Sequence, residues 1–552
     1  MAPGIGVESV EAAVEAAGAA QPQKARREFW SRWITLAAGM CAMLCSGPIF
    51  TFGAIHTDTK RLLGATELQV QLIGVAGDVG LWLKIVPGVV FDFSGARATM
   101  AIGALLAAFG YAGFYASLSG GWAPELAALF WFIAGIGSGF LYTAALFPTV
   151  KNFAPHERGF VTGVLACMFG ASAAIFSSLF GGCLGGSIFA GKCVDGALGG
   201  SVTMYIVVLA IVVPIVGFLA AAGTRQVGDQ LAVPGVGDRV GLRFALLFGG
   251  CVSFIVVVFG MKLLAAFADR SISTWGNYVW MCLLMLIAAV PAGAGPAQII
   301  EAPPVQGAAA PVSAAKQRLA SAVELVRQMR FWSLFFAFGI TVGADLMTLN
   351  ILSSIVKSRD MEKQMGSLLV VVQMGADTLA RISSGTAVWK GYIPLTKLLL
   401  VAPALTVVAQ IMLALGSDIL LYFACALLGL SDGIMWMATP LFVGQTYGLH
   451  NVGVNFGLTV LAAAVFQSLF SLGLEPLVYA KHLEAGADVC YGNKCFADTH
   501  WVVSALSVCA CFAAFHVHMT RRQASQPQTK GDATECAATS NAVSVAAGGS
   551  AP

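Results

Sequence analysis

Charge is what this chain has least of. Asp, Glu, Lys and Arg make up 11% of its 552 residues, where soluble globular proteins carry about 25%. So few ionised groups cannot cover a water-facing surface, so the composition, 58% hydrophobic, predicts an integral membrane protein. The net charge of +3 is small, and no basic run interleaved with aromatics points to nucleic acid. The stretch from Met1 to Arg27 has no basic region followed by an apolar core, so no secretory signal is expected. A nucleophile motif, a Walker A lysine loop and a metal-ligand constellation are all missing, so neither an enzyme nor a cofactor is expected. The tail from Gln523 to Pro552 has few large apolar residues and is expected to be disordered.

Apolar segments fill the rest. A bilayer core about 30 Å thick takes roughly 20 apolar residues per helix. On that measure the chain has fourteen spans, near 31–55, 68–91, 98–118, 124–148, 159–183, 202–222, 242–263, 276–295, 331–355, 365–388, 395–415, 418–443, 451–478 and 500–519. Pro87, Pro148, Pro214, Pro403 and Pro440 fall inside them, and neighbouring helices can satisfy the backbone groups they free. An even number of spans puts both termini on one side. The loops on that side hold most of the Lys and Arg, so both termini are expected in the cytosol. The membrane is expected to be the plasma membrane, with an internal membrane the alternative, and the chain a monomer. Most of the thirteen cysteines lie in spans as small apolar residues. Cys183 with Cys193, and Cys490 with Cys495, lie on or beside far-side loops, where disulfides are plausible.

Against this background an acid and a base stand one helical turn apart, Asp377 and Arg381 in Gly375-Ala-Asp377-Thr-Leu-Ala-Arg381-Ile-Ser-Ser-Gly385. An ionised side chain at membrane depth costs about 2.5–3.5 kcal/mol on translocon scales, so such residues tend to face a cavity and carry solute or protons. The plain alternative is a structural pair at i and i+4. Lys84 and Asp78 lie in span 2, Asp345 in span 9 and Asp432 in span 12. Asp345 occupies the second-half counterpart of span 1, where helix discontinuity and solute contact are expected. Asp78 reads equally well as structural, and Asp432, between Ser431 and Gly433, as facing another helix.

The chain also repeats itself at an offset of 294 residues. Pro155-His156-Glu-Arg-Gly159-Phe-Val-Thr-Gly163 matches Leu449-His450-Asn-Val-Gly453-Val-Asn-Phe-Gly457, and Gly135-Ile-Gly-Ser-Gly139 matches Gly429-Leu-Ser-Asp-Gly433. Small residues at such points let membrane helices approach closely. Spans 1–6 therefore correspond to spans 9–14, with spans 7 and 8 inserted. Two duplicated six-helix bundles are the build of secondary transporters that rock around a central site. The chain divides into a cytosolic tail (1–30), a first bundle (31–222), a linker with two extra helices (223–330), a second bundle (331–520) and a disordered tail (521–552). After span 2, Gly88-Val-Val-Phe-Asp92-Phe-Ser-Gly95-Ala-Arg97 is similar to the Gly-x-x-x-Asp-x-x-Gly-x-Arg signature of the major facilitator superfamily, an all-α membrane fold. It puts an acid at a helix end, then a turn glycine and a base that reaches a neighbouring helix, a network able to latch one rocking state. The equivalent place in the second half reads Gly385-Thr-Ala-Val-Trp389-Lys390, with Trp389 where the acid would be, so a second latch is expected to be weak or absent. The same alignment, here at an offset of 297, sets Lys84 opposite Arg381.

Two narrower resemblances follow. The stretches Gly47-Pro-Ile-Phe-Thr-Phe52, Leu72-Ile-Gly-Val-Ala-Gly-Asp78-Val-Gly80, Lys151-Asn-Phe153 and Arg158-Gly159 resemble the nodulin-like family, whose layout also includes an extra hairpin before the second half. Asp377-Thr-Leu-Ala-Arg381-Ile-Ser-Ser-Gly385 resembles the Asp-x-x-Ala-Arg-x-x-x-Gly stretch of proton-linked monocarboxylate porters. That resemblance implies Asp377 as the proton-coupling carboxylate and Arg381 as the partner of a solute carboxylate. A guanidinium offers such an anion a bidentate fork, and a carboxyl in a low-dielectric site can hold a proton near neutral pH. The expectation is a secondary transporter in the lipid bilayer that moves a small organic anion with protons. The alternatives are a transporter of iron, another metal or a metal chelate, and a receptor or scaffold on the same fold.

Overall fold

The computed structural model describes residues 32–181, 200–225, 240–268, 322–361, 363–483 and 490–525, and no strand occurs among them. The first half contains α1 (32–46), a 3-10 turn (Pro48–Thr51), α2 (Phe52–Leu63), α3 (Glu67–Trp82), α4 (Ile85–Gly120), α5 (Pro124–Lys151), α6 (Arg158–Gly181) and α7 (Gly200–Gly223). Next comes α8 (Val240–Ala268). The second half contains α9 (Met329–Ser358), α10 (Lys363–Trp389), α11 (Leu395–Leu415), α12 (Asp418–Thr446), α13 (Val452–Ser468), a π-helical turn (Leu469–Leu474), α14 (Glu475–His482) and α15 (Lys494–Ser525). Helix covers most of every expected span except 276–295, which lies outside the described residues, although spans 2 and 3 share α4 and spans 1 and 13 each run over more than one element.

Local chemistry explains the ends. Thr66 and Gln69 form a capping box at the start of α3, satisfying amides that lack a helical partner there. Gly64, Gly121 and Gly416 take positive φ at the ends of α2, α4 and α11, a conformation that costs glycine no side-chain clash.

Span 2 departs from expectation. Instead of one helix over 68–91 it breaks at Leu83, whose ψ of 44° is not helical, and resumes at Ile85. Pro87 supplies the cause: its ring blocks the carbonyl four residues back and it has no N–H to bond to it. The other four intramembrane prolines sit within continuous helices. Span 9 was expected to hold a discontinuity, yet α9 runs unbroken from Met329 to Ser358.

The halves pack alike. In the first, α4 lies on α5 and α7, and α3 on α5; in the second, α11 lies on α12 and α15, and α10 on α12. The halves meet along two seams, α6 against α10 and the broken α3/α4 against α13. The inserted α8 rests on both α6 and α10. Arg32 reaches Glu157 and Arg330 reaches Thr520, so the start of α1, the start of α9, the α5–α6 turn and the end of α15 mark one end of the bundle, hereafter the terminal end.

Candidate functional site

The second half supplies a buried ionic cluster. On α10, Asp377 and Arg381 lie one turn apart, and Arg381 Nε donates to Asp377 Oδ1 at 2.7 Å and to Oδ2 at 3.0 Å. Arg381 Nη2 donates to Asp432 Oδ2 on α12 at 3.3 Å. Glycine makes this crossing possible, because a Cβ on Gly429 or Gly433 would strike the carbonyl of Gln373 or Asp377. From the other half, Gly170 of α6 leaves room for the pair: a Cβ there would stand 2.9 Å from Asp377 Oδ2 and 3.2 Å from Arg381 Nε. Asp345, on α9, accepts from Gln373 Nε2 at 2.7 Å, and Gln373 stands one turn before Asp377 on α10. The cluster is not fully satisfied. Arg381 Nη1, Asp432 Oδ1 and Asp345 Oδ2 are buried and find no hydrogen-bond partner among the described residues.

The first half supplies one cation, placed at the break in span 2. Lys84 is fully buried and its Nζ has no hydrogen-bond partner among the described residues. Aromatic faces surround it instead: Tyr142 at 3.2 Å from the ring centre, Trp82 at 4.9 Å, Trp436 at 5.0 Å, Phe169 at 5.6 Å and Phe456 at 5.8 Å. Each such contact is worth about 2 kcal/mol when desolvated, whereas burying the ion costs several. Arg381 lies over two of the same rings, 5.8 Å from Phe169 and 6.0 Å from Trp436. One cation from each half thus faces a shared aromatic wall, and each has a donor to spare. A single anion held between them would neutralise the repulsion and satisfy both donors.

The seams that bring the halves together use the same glycines twice. Along α4–α13, a Cβ on Gly453 would lie 2.6 Å from the carbonyl oxygen of Gly88, and one on Gly457 would lie 2.6 Å from Ile85 N and Lys84 O. Along α6–α10, a Cβ on Gly385 would lie 2.6 Å from the Gly159 oxygen and 2.9 Å from Gly163 Cα. Asp92 accepts from the amides of Gly453, at 3.3 Å, and Val454, at 2.8 Å. These are first-turn N–H groups that α13 itself leaves unpaired. Gly95 turns the chain at φ +77°, and Arg97 Nε donates to the Thr224 carbonyl at 2.9 Å, next to the last turn of α7 in its own half. In the other seam Trp389 meets Phe160 and Phe244 at 5.3 and 5.1 Å between ring centres, so aromatic packing against α8 stands where an acid–amide latch would be.

The structure therefore brings Lys84, Asp345, Asp377, Arg381 and Asp432 into one buried centre and puts Gly88 and Asp92 on one seam, with Gly95 only at the turn that follows. Asp78 sits apart from the ionic cluster, on α3, where its Oδ2 accepts from Gln467 Nε2 at 2.8 Å. Cys490 and Cys495 form a disulfide; Cys183 and Cys193 lie outside the described residues. Sequence reasoning missed the aromatic wall, Gln373 and Gln467. One signal was available: Tyr142 and Trp436 are themselves 294 residues apart, so the repeat sets an aromatic at the same place in each half.

Comparison with known proteins agrees with this architecture. The nodulin-like family model matches residues 32–292. Over 100 residues the chain is 25% identical to the probable transporter mch1 of Neurospora crassa, a match spanning 16% of this chain and 16% of that relative. Among solved structures the chain is similar to the proton:xylose symporter XylE bound to 6-bromo-6-deoxy-D-glucose, with a TM-score of 0.56 and 10% identity over 88% of this chain and 95% of that one. It is similar also to the major facilitator superfamily transporter FucP in its outward conformation, with a TM-score of 0.54 and 14% identity over 88% and 99%. At such identities the likeness shows the fold.

Proposed function

The chain has the major facilitator fold with a nodulin-like region over residues 32–292, and on that premise we propose that it is a secondary active transporter working by alternating access. Its solute is a small organic anion such as a monocarboxylate, moved together with protons. One observation carries the reading: Lys84 and Arg381, one from each half, are buried over the same two rings with unpartnered donors. A scaffold would gain nothing from an unpaired buried ammonium, because an apolar residue of similar volume is as stable or more so. A bare metal cation would have to displace Arg381 from Asp377 and Asp432, and among the described residues no group of three or more His, Cys, Asp and Glu could hold a metal ion.

In this reading the solute carboxylate bridges Lys84 and Arg381 and competes with Asp377 for the guanidinium. Asp377 takes up a proton as it yields its partner, and Asp432 and Asp345 share the remaining charge. Uptake of one anion with one proton adds no net charge to the centre, which then crosses the rocking transition. Release restores the Asp377–Arg381 pair. Both termini face the cytosol in this scheme, with the plasma membrane the expected site.

The test is uptake into proteoliposomes of a panel of monocarboxylates, amino acids and ferrous iron, with and without a pH gradient. Asp377→Asn is expected to fold and to lose pH-dependent uptake. A double variant, Asp377→Asn with Arg381→Gln, that transports as well as the parent protein would show the pair to be structural.

A further inference from the structure

The span that begins with α13 and continues through the π turn to His482 is gripped at its first turn and again about midway by the same broken helix. At the terminal end Asp92, on α4, accepts from the Gly453 and Val454 amides. Thirteen residues further along α13, about 20 Å at 1.5 Å per residue, Gln467 is held by α3. Its amide is engaged on both sides: Nε2 donates to Asp78 Oδ2 at 2.8 Å, and Oε1 accepts from Trp82 Nε1 at 3.1 Å. Asp78 and Trp82 are four residues apart and share one face of α3, so together they match both polar ends of one carboxamide. Between the two grips lies the break, with Gly457 against the backbone of Lys84 and Ile85. The second grip is also tied to the centre, because the Trp82 ring stacks on Trp436 of the other half at 4.6 Å and 22° and lies over Lys84.

We propose that Asp78, Trp82 and Gln467 form the latch of the gate that closes the buried centre toward the side away from the termini, with the Gly457 contact as the pivot between this latch and Asp92. The proposal rests on the alternating-access reading but not on any solute. Opening the far end separates α3 from the last turns of α13, breaks both Gln467 hydrogen bonds and unstacks Trp82 from Trp436, so the wall around Lys84 opens in the same movement. Opening the terminal end releases Asp92 while the Gln467 latch holds. Asp78 acts through a hydrogen bond it accepts, not through gain or loss of a proton. It is thus a positioning residue, distinct from the proton role given to Asp377.

Hydrogen–deuterium exchange of the full chain in lipid nanodiscs, with no solute present, tests this directly. Removing one hydrogen bond of this kind shifts an opening equilibrium by about fivefold. Gln467→Ala and Asp78→Ala should therefore speed exchange about fivefold in peptides covering 67–82 and 460–474, leaving 88–97 and 452–458 unchanged. Asp92→Ala should do the reverse. Asp78→Asn keeps a carbonyl oxygen able to accept from Gln467 and should exchange like the parent protein. The latch is wrong if Asp78→Asn loosens the far end as much as Asp78→Ala, or if Gln467→Ala loosens both ends alike or neither. Should Asp78→Ala fail to fold, Gln467→Ala and Asp78→Asn decide the matter. Failure of the solute panel with this exchange pattern intact would remove the anion reading and leave the gate standing. Uptake without the pattern would do the opposite.

Discussion

Along the α4–α13 seam the two halves are joined by groups that can part cleanly: a carboxylate on helix amides at one end and a carboxamide held by Asp78 and Trp82 at the other. Along the α6–α10 seam the joining groups are apolar. Trp389, Phe160 and Phe244 pack together, with Phe160 and Phe244 stacked at 4.2 Å, and Phe244 belongs to the inserted α8. Both seams rest on equivalent glycines, so the backbone approach is the same and only the side chains differ. Polar latches have partners waiting in water when they open, whereas an aromatic cluster that opens exposes apolar surface at roughly 25 cal/mol per Å². The comparison teaches that the halves need not hinge symmetrically. On the proposed alternating-access reading, the first seam switches and the second stays packed as the wall behind the ionic cluster.

The largest expected effect separates the two cations of the centre, one rooted in each seam. Arg381→Leu leaves Asp377 and Asp432 buried without their counter-ion, and breaking a buried pair from one side costs about 3–5 kcal/mol. Lys84→Leu removes a cation whose Nζ has no hydrogen-bond partner among the described residues and should leave thermal stability equal or higher while abolishing uptake. Thermal unfolding in detergent reads both; equal losses for the two variants would erase the distinction between them. Next in size is Phe244→Ala, a large-to-small change at a fully buried site that should cost about 3 kcal/mol. Its effect on exchange should be confined to α6, α8, the end of α10, the start of α1 and the α5–α6 turn, where Trp33 and Phe153 also meet the ring, and loosening of α13 instead would mean that the seams are not independent. The smallest is Gly457→Val, which presses side-chain atoms into Lys84 and Ile85 at about 1–3 kcal/mol. It should slow uptake far more than it lowers stability, because it loads the pivot; an unchanged rate would move the pivot elsewhere.

How much of this was legible in advance depends on the kind of interaction. The spans followed from hydropathy because each must bury roughly 20 apolar residues to cross the bilayer. The duplication was legible because glycines that permit close helix contact tolerate no side chain, as Gly88, Gly159, Gly385 and Gly453 show. Pro87 was visible too, yet four similar prolines leave their helices unbroken, so residue type alone did not locate the break. What distinguishes Pro87 is that the break just before it, at Lys84 and Ile85, is packed against Gly457, far away in the chain. Asp78 and Asp432 look alike in sequence, each an acid among small apolar neighbours. One faces a carboxamide across the first seam and the other completes the guanidinium pair, a difference decided by which helix stands opposite.

The sequence by itself determined that this chain lives in a bilayer, that it is two related bundles with an insertion, and that it carries Lys84, Asp377 and Arg381 at a depth where charge is costly. These are properties of local composition and of repeat spacing, and they need no knowledge of neighbours. Only the tertiary structure decided that Lys84 stands in an aromatic box instead of an ion pair, that it shares two rings with Arg381, and that Gln467 is clasped from both sides. Each of those depends on distances between helices that the chain visits far apart, and a desolvated charge takes its character from whatever those helices place within a few ångströms of it.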